Sequence, residues 1–363
     1  MPIFIIGWLL ILYGIFAIYS VSIFSSFQLT LHQLWEPSNY FYFFRQLRHL
    51  LIALVLAVWV YFIPLEFIKK HRWKIFLVSL FFLLLVFTSL WLELKWARWW
   101  IYLPWFWSVQ PWEFVKLWFV IFFAGWLVKK QKILWTLHWY IAMLIVVWVS
   151  LFLFLLIPDL WTLLILWPVA LILYTYAWWK IRYVIVSIIL GLIFLLTVWM
   201  QFTYIKNRIE YFVNPDIDKT EQWIWYQTKQ WLIAIWAWWF LWRWYWKWLQ
   251  KFWFLPEAQS DFIFSAFSEE VWFLWNIVLL TLYFLLVYFT VKQLPYVKDK
   301  YYQYLAVWIL SLIVWQAFVN IWVNTKLIPL TWLTLPFISY GGTALMVNIF
   351  EIVLLYKILY KKN

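Results

Sequence analysis

A chain of 363 residues that is 68% hydrophobic, 12% charged and has a mean hydropathy of +0.84 is no ordinary soluble domain. It has no cysteine, which excludes disulfides and thiolate metal sites. It also has no Walker, G-x-G-x-x-G or H-E-x-x-H pattern, so ATP-driven, dinucleotide and zincin chemistry find no support.

Stretches of about 17–25 apolar residues are long enough to span a membrane. Ten occur, at roughly 3–25, 47–65, 73–91, 112–128, 136–156, 159–177, 182–201, 269–291, 302–323 and 337–359. The expected fold class is therefore an all-α polytopic membrane protein of about ten transmembrane helices. A long extracytoplasmic loop, 202–268, lies between spans seven and eight, within a single integral membrane domain covering 1–363. The first span is too long for a signal-peptide core and lacks a small-x-small cleavage site, so it is read as retained.

The connections after spans two, four, six and eight carry Lys69, Lys70, Arg72, Lys74, Lys129, Lys130, Lys132, Lys180, Arg182, Lys292, Lys298 and Lys300, and the tail adds Lys357, Lys361 and Lys362. The positive-inside rule makes that side cytoplasmic and puts both termini there. The net charge of +13 then follows from topology and anionic membrane lipid, and it argues for no nucleic acid. His32, His49, His71 and His138 are scattered without ligand spacing and read as interfacial or loop residues.

The same topology gathers Arg45, Gln46, Arg98, Gln110, Glu113, Asp159, Asp261, Glu269 and Glu270 on the outer side. Ionisable groups beside lipid are costly to desolvate, so their convergence suggests a polar cavity opening outward. Glu113 and Lys116 share a helix face at i, i+3, a spacing that also suits a helix-stapling ion pair. The densest segment is Leu255 to Glu270, with four carboxylates (Glu257, Asp261, Glu269 and Glu270) in sixteen residues. Asp261, followed by Phe-Ile-Phe, is placed to be tuned as a proton acceptor. In the long loop, Asn207 to Thr220 carries turn chemistry, and Gln222 to Phe254 is rich in aromatic and basic residues that suit helices lying in the interface.

The chain has 38 Trp and 6 Gly, where average usage would give about 25 Gly. Trp236 to Trp248, W-A-W-W-F-L-W-R-W-Y-W-K-W, cannot pack as close helix contacts, but with glycine in place of tryptophan it can. Some bacterial lineages read UGA as glycine, so many of these tryptophans are expected to be glycine in the natural protein. Sequencing the gene tests this: UGA codons are expected at Trp161, Trp238 and Trp272, and UGG there overturns the idea.

With that substitution in mind, five segments resemble the SEDS family of FtsW/RodA-type peptidoglycan polymerases. Lys95 to Ile101 is similar to N-G-A-R-x-W-I, with Trp96 in the glycine place and Lys95 departing from Asn. Val109-Gln110-Pro111-Trp112-Glu113 followed by Lys116 resembles F-x-Q-P-S-E-x-x-K. Ile157 to Thr162 resembles Q-P-D-L-G-T, and Leu255 to Trp272 resembles L-P-E-A-H-T-D-F-I-F-A-x-x-x-E-E-x-G. Leu335 to Thr343 is close to L-P-F-x-S-Y-G-G-S. Gln259 and Ser260 replace His-Thr before the aspartate. Pro256-Glu257-Ala258 leans toward the division-type branch.

The resemblance implies polymerisation of lipid II outside the cytoplasmic membrane of a bacterium, with Asp261 as the catalytic base that deprotonates the acceptor GlcNAc 4-hydroxyl and undecaprenyl diphosphate leaving. Arg45, Arg98 and Lys116 are the basic candidates for the diphosphate, with a divalent cation (Mg or Mn) able to share that charge. Gln110, Glu113, Asp159, Pro256, Glu257, Glu269, Glu270, Ser339, Tyr340, Gly341 and Gly342 are expected to line the cavity. The implied partner is a class B penicillin-binding protein within a divisome or elongation complex. Two other classes stay open at this point: a lipid-precursor flippase and a non-catalytic scaffold.

Overall fold

The computed structural model describes residues 1–31, 37–85, 88, 91–94, 97–103, 107–130, 136–156, 160–178, 181–201, 206, 209–210, 212–213, 258–270 and 273–360. Most of the long outer loop, including Asn207 and the whole of Gln222 to Phe254, lies outside them. The helices are α1 (Pro2–Val21), α2 (Ile23–Leu31), α3 (Phe41–Phe62), α4 (Leu65–Leu84), α5 (Pro111–Lys130), α6 (Leu137–Leu156), α7 (Leu160–Trp178), α8 (Ile181–Gln201), α9 (Ile263–Glu270), α10 (Phe273–Gln293), α11 (Lys300–Asn324) and α12 (Gly342–Tyr360). Every apolar run predicted to span overlaps one of the helices of 19 to 25 residues. Among the described residues, six helices are long and apolar enough to cross a membrane. The molecule is a nearly all-helical, multi-pass membrane protein.

The all-α expectation needs one correction. Residues read as a plain loop between spans three and four form a three-stranded antiparallel sheet, β1 (Trp91–Leu94), β2 (Ala97–Leu103) and β3 (Trp107–Val109). W-L-E-L, A-R-W-W-I-Y-L and W-S-V are rich in aromatic and branched residues, which favour strands. They are too short to cross as helices, and pairing satisfies their backbone groups beside the membrane.

Within the bundle α12 packs along α3, α4 along α5, α11 against α7 and α5, and α1 against α10. At the end predicted to be cytoplasmic, Asp299 caps α11 by accepting from the Tyr301 backbone N–H at 2.8 Å and also pairs with Lys69. Lys357, 1% exposed, donates to the backbone carbonyls of Val60 and Ile63 and so satisfies the C-terminal end of α3. The outward faces of α3 (Leu51, Val55, Val58, Trp59, Phe62) and α8 (Ile185, Ile189, Leu192, Ile193) are exposed and apolar, as surfaces in lipid contact should be.

One glycine sets the position of the segment joining α11 to α12. A Cβ on Gly14 of α1 would lie 2.4 Å from the Phe337 carbonyl oxygen and 2.8 Å from Ile338 Cα, both main-chain atoms that cannot swing aside. Gly14→Ala is therefore expected to destabilise by about 1–3 kcal/mol through overpacking. Thermal unfolding in detergent reads this directly, and an unchanged midpoint would show that α1 does not hold the segment.

Candidate active site

The chain leaves α11, makes the connection 325–341 and enters α12, and this connection meets the turn that carries Asp261. The Tyr340 backbone N–H donates to the Gln259 carbonyl at 2.8 Å, joining two motifs about eighty residues apart in sequence. Inside the connection the Leu335 N–H donates to Ser339 Oγ at 2.8 Å and the Ser339 N–H returns to the Leu335 carbonyl at 3.0 Å. Phe337 sits at φ 68°, a left-handed conformation that costs energy for a bulky residue. Tyr283 Oη donates to the Pro336 carbonyl at 2.6 Å and helps hold it there. Ser339 thus shapes the connection from within.

Asp261 is half-buried in the turn before α9. Its backbone carbonyl accepts from Asn320 Nδ2 and Asn324 Nδ2, both at 3.0 Å. Asn324 Oδ1 in turn accepts from the backbone N–H and the hydroxyl of Ser265, at 3.2 and 2.8 Å, satisfying a donor at the start of α9. Asn320 Nδ2 also donates to the Leu333 carbonyl at 2.6 Å. Gln316, Asn320 and Asn324 recur at i, i+4 and i+8, so they share one face of α11. Sequence reasoning missed them. Their spacing along an otherwise apolar span was the available signal.

The start of α3 forms another wall. Tyr42 meets Tyr340 edge-to-face at 4.9 Å, and the His49 ring lies against Gly342, where a Cβ would come within 2.9 Å of it. His49 is 5% exposed and packs within the site, not at the interface where the sequence placed it. Arg45 lies over the Phe41 ring at 5.9 Å and is within electrostatic reach of Tyr42, His49 and Tyr340, and Arg48 also reaches His49 and Tyr340, so two cations stand beside the connection. Burial pushes the Tyr340 phenol up to about 12, against the opposing pull of Arg45, so it stays a neutral hydroxyl across the physiological range. Gln110 lies next to α12, its backbone N–H donating to Thr343 Oγ1 at 3.2 Å. A Cβ on Gly341 would make only ordinary contacts.

Glu113 and Lys116 form the expected i, i+3 pair, Oε2 to Nζ at 2.8 Å, but they are 5% and 2% exposed and face the interior of the bundle, not an open cavity. Lys116 also donates to Gln316 Oε1 at 3.1 Å, and Gln316 Nε2 donates to the Thr334 carbonyl at 3.0 Å. A second carboxylate, Glu351 of α12, is 2% exposed and interacts electrostatically with both Lys116 and Glu113. Two carboxyl groups and one ammonium thus share a dry site, and Glu351 is another residue the sequence reading did not single out.

Asp159, Pro256 and Glu257 lie outside the described residues. Arg98 in β2, and Glu269 and Glu270 at the end of α9, are placed by their backbone only. Among the described residues no three His, Asp or Glu side chains converge to hold a metal ion.

An apolar membrane bundle, with an aspartate turn, a left-handed connection and buried ionisable groups brought together near the ends of α3, α5, α11 and α12, defines a polytopic membrane protein with a polar site near one end of its bundle. The family described as cell cycle protein, FtsW/RodA/SpoVE, matches residues 1–363. The chain belongs to this family. It is 31% identical over 316 residues to the Probable peptidoglycan glycosyltransferase FtsW of Trichlorobacter lovleyi, covering 86% of this chain and 82% of that one. It is 31% identical over 308 residues to the Stage V sporulation protein E of Bacillus subtilis, covering 84% and 83%.

Two solved structures share the fold. One is a chain of a peptidoglycan synthase complex described for its coordination of polymerization and crosslinking, with a TM-score of 0.74, 24% identity, and coverage of 97% of this chain and 98% of that one. The other is the rod shape determining protein RodA of Thermus thermophilus, with a TM-score of 0.69, 19% identity, and coverage of 99% and 97%.

Proposed function

We propose that this chain is a peptidoglycan glycosyltransferase of the bacterial cytoplasmic membrane that polymerises glycan strands from lipid II. The observation that carries the reading is the fixed Asp261 turn. Its main chain is held by two asparagines, its neighbour Gln259 is hydrogen-bonded to Tyr340, and Arg45 stands beside Tyr340. In this reading the Asp261 carboxylate takes the proton of the acceptor GlcNAc 4-hydroxyl as that oxygen attacks the anomeric carbon of the donor MurNAc. The glycosidic C–O bond forms, the bond to undecaprenyl diphosphate breaks with inversion, and one carboxylate suffices because no covalent intermediate is needed.

Arg45 and Arg98 would meet the charge developing on the departing diphosphate. Lys116, turned inward, acts from behind the cavity with Glu113. Gln110, Asp159, Pro256, Glu257, Glu269, Glu270, Ser339, Tyr340, Gly341 and Gly342 shape or hydrate the site. A Mg or Mn ion, when bound, would supply further positive charge on the diphosphate, held by phosphate oxygens and one or two carboxylates.

In this reading the chain makes ten spans across 1–363 with cytoplasmic termini and an outer loop at 202–268, and the site opens on the side where lipid-linked precursor is consumed. The division-type lean of Pro256-Glu257-Ala258 and the FtsW and Stage V sporulation relatives favour a role in division or sporulation over elongation. The chain carries no transpeptidase signature, so cross-linking falls to a partner, proposed to be a class B penicillin-binding protein. The deciding experiment incubates the purified chain and that partner with labelled lipid II. Glycan strands are expected. Precursor crossing vesicles without strand formation would make the protein a flippase, and neither activity would make it a scaffold.

A further inference from the structure

The amide row on α11 has no part in the chemistry proposed above, yet its three side chains are buried and hydrogen-bonded. Gln316, Asn320 and Asn324 are 4%, 1% and 0% exposed. A buried amide is costly unless its donors and acceptors are satisfied, so three in a row on a membrane helix demand a reason. The bonds they make supply one. At the outer end Asn320 and Asn324 each give one Nδ2 donor to the same oxygen, the Asp261 carbonyl, at 3.0 Å. In the middle Asn324 Nδ2 donates to the Asn320 carbonyl at 2.9 Å, which fixes the rotamer of one amide against the other. At the inner end Gln316 accepts from Lys116 and donates to the carbonyl of Thr334, the residue just before the Leu335–Ser339 turn.

We propose that Asn320 and Asn324 are positioning residues for Asp261, and that with Gln316 they fix the aspartate turn and the connection 333–340 in one frame referenced to the buried Glu113–Lys116 pair. The inference rests on the reading of Asp261 as the base. The asparagines bond to its main chain, so their part is to place the residue and not to take the proton. A single carbonyl held by two donors on one rigid helix cannot rotate about its peptide plane without losing both bonds, so the Asp261 Cα bonded to that carbonyl, and with it the origin of the carboxylate side chain, is held in place as well. General-base catalysis depends on that placement, because a misplacement of about 1 Å can cost about 100-fold in rate.

The test compares Asn320→Ser, Asn324→Ser, the double variant and Asp261→Asn in single-turnover polymerisation of lipid II with the partner present. Rates are normalised to monodisperse folded protein. Each single variant keeps one donor on the Asp261 carbonyl and is expected to lose up to about 10-fold in rate, the equivalent of one hydrogen bond. The double variant is expected to lose about 100-fold. KM for lipid II is expected to hold steady while the solvent deuterium isotope effect on the rate rises, since a misaligned base makes proton transfer more rate-limiting. A purely structural role would lower the yield of folded protein and leave that isotope effect where it was.

If Asp261→Asn is inactive while both single variants keep the parental rate and isotope effect, the positioning role is wrong and the base assignment stands. If Asp261→Asn polymerises like the parent, the base reading fails and takes this inference with it. The single variants keep the question open to measurement even where the double variant does not fold.

Discussion

Asp261→Asn is expected to lower lipid II polymerisation by about 100- to 10,000-fold, the range removed with a positioned general base. The substitution is chosen because the structure separates the two halves of this residue. Asn320 and Asn324 hold the backbone carbonyl of Asp261, and the neighbouring turn is closed through the main chain by the bond from Tyr340 N–H to the Gln259 carbonyl. Asparagine has the shape of aspartate and keeps all of these main-chain bonds, so the folded state and its thermal midpoint are expected to be unchanged. It lacks the negative charge and cannot accept the hydroxyl proton. Asp261→Ala is expected to fall as far, since the contribution at stake is proton acceptance. Parental activity in either variant would remove Asp261 from the mechanism. A loss of activity accompanied by a collapse in thermal midpoint would make Asp261 structural instead.

The long helices were legible because a membrane span needs about twenty consecutive apolar residues, a signal that survives any detail of packing. The Glu113–Lys116 pair was legible from i, i+3 spacing, but not its burial, since spacing along one helix says nothing about what covers it. The sheet at 91–109 was hidden because short aromatic strands between two spans have the same composition as an interfacial loop. The α11 amides escaped because a search built on charge passes over neutral side chains, although in a dry interior an unpaired amide costs as much as many surface charges. Glu351 was hidden for the opposite reason: it is one carboxylate in an apolar span, and its importance comes only from what lies across from it.

The tryptophan surplus has a structural counterpart. Trp167 Nε1 and Trp308 Nε1 are buried indole donors with no acceptor among the described residues, an arrangement that buried tryptophans usually avoid. Glycine at such a position would leave no orphaned side-chain donor, which agrees in direction with the codon expectation.

Lys116→Met should destabilise the protein by about 3–5 kcal/mol, the cost of leaving buried charge without its partner. The reason lies in the groups around this one ammonium. Lys116 is 2% exposed, bonded to Glu113 at 2.8 Å and to Gln316 at 3.1 Å, and the 2% exposed Glu351 carboxyl group interacts with it from α12. Methionine fills nearly the same volume, so the effect is electrostatic and not a cavity. Removing the ammonium leaves the Glu113 carboxylate unpaired in a low-dielectric interior, with the buried Glu351 carboxyl opposite it, and orphans Gln316 Oε1 at the same stroke. Adding Glu113→Gln should recover most of the loss, because the amide satisfies its surroundings without a charge, whereas Glu113→Gln alone leaves Lys116 with Glu351 still opposite and should cost much less than Lys116→Met. Thermal unfolding of the three variants reads the order. A Lys116→Met protein as stable as the parent would mean that the carboxylates are already neutral and that the ammonium holds nothing in place. Polymerisation by the doubly substituted protein then separates two roles for Lys116. An inward-facing lysine that only references the α11 row leaves activity largely recovered along with stability, and one that turns outward to meet the diphosphate leaves a stable protein that no longer makes strands.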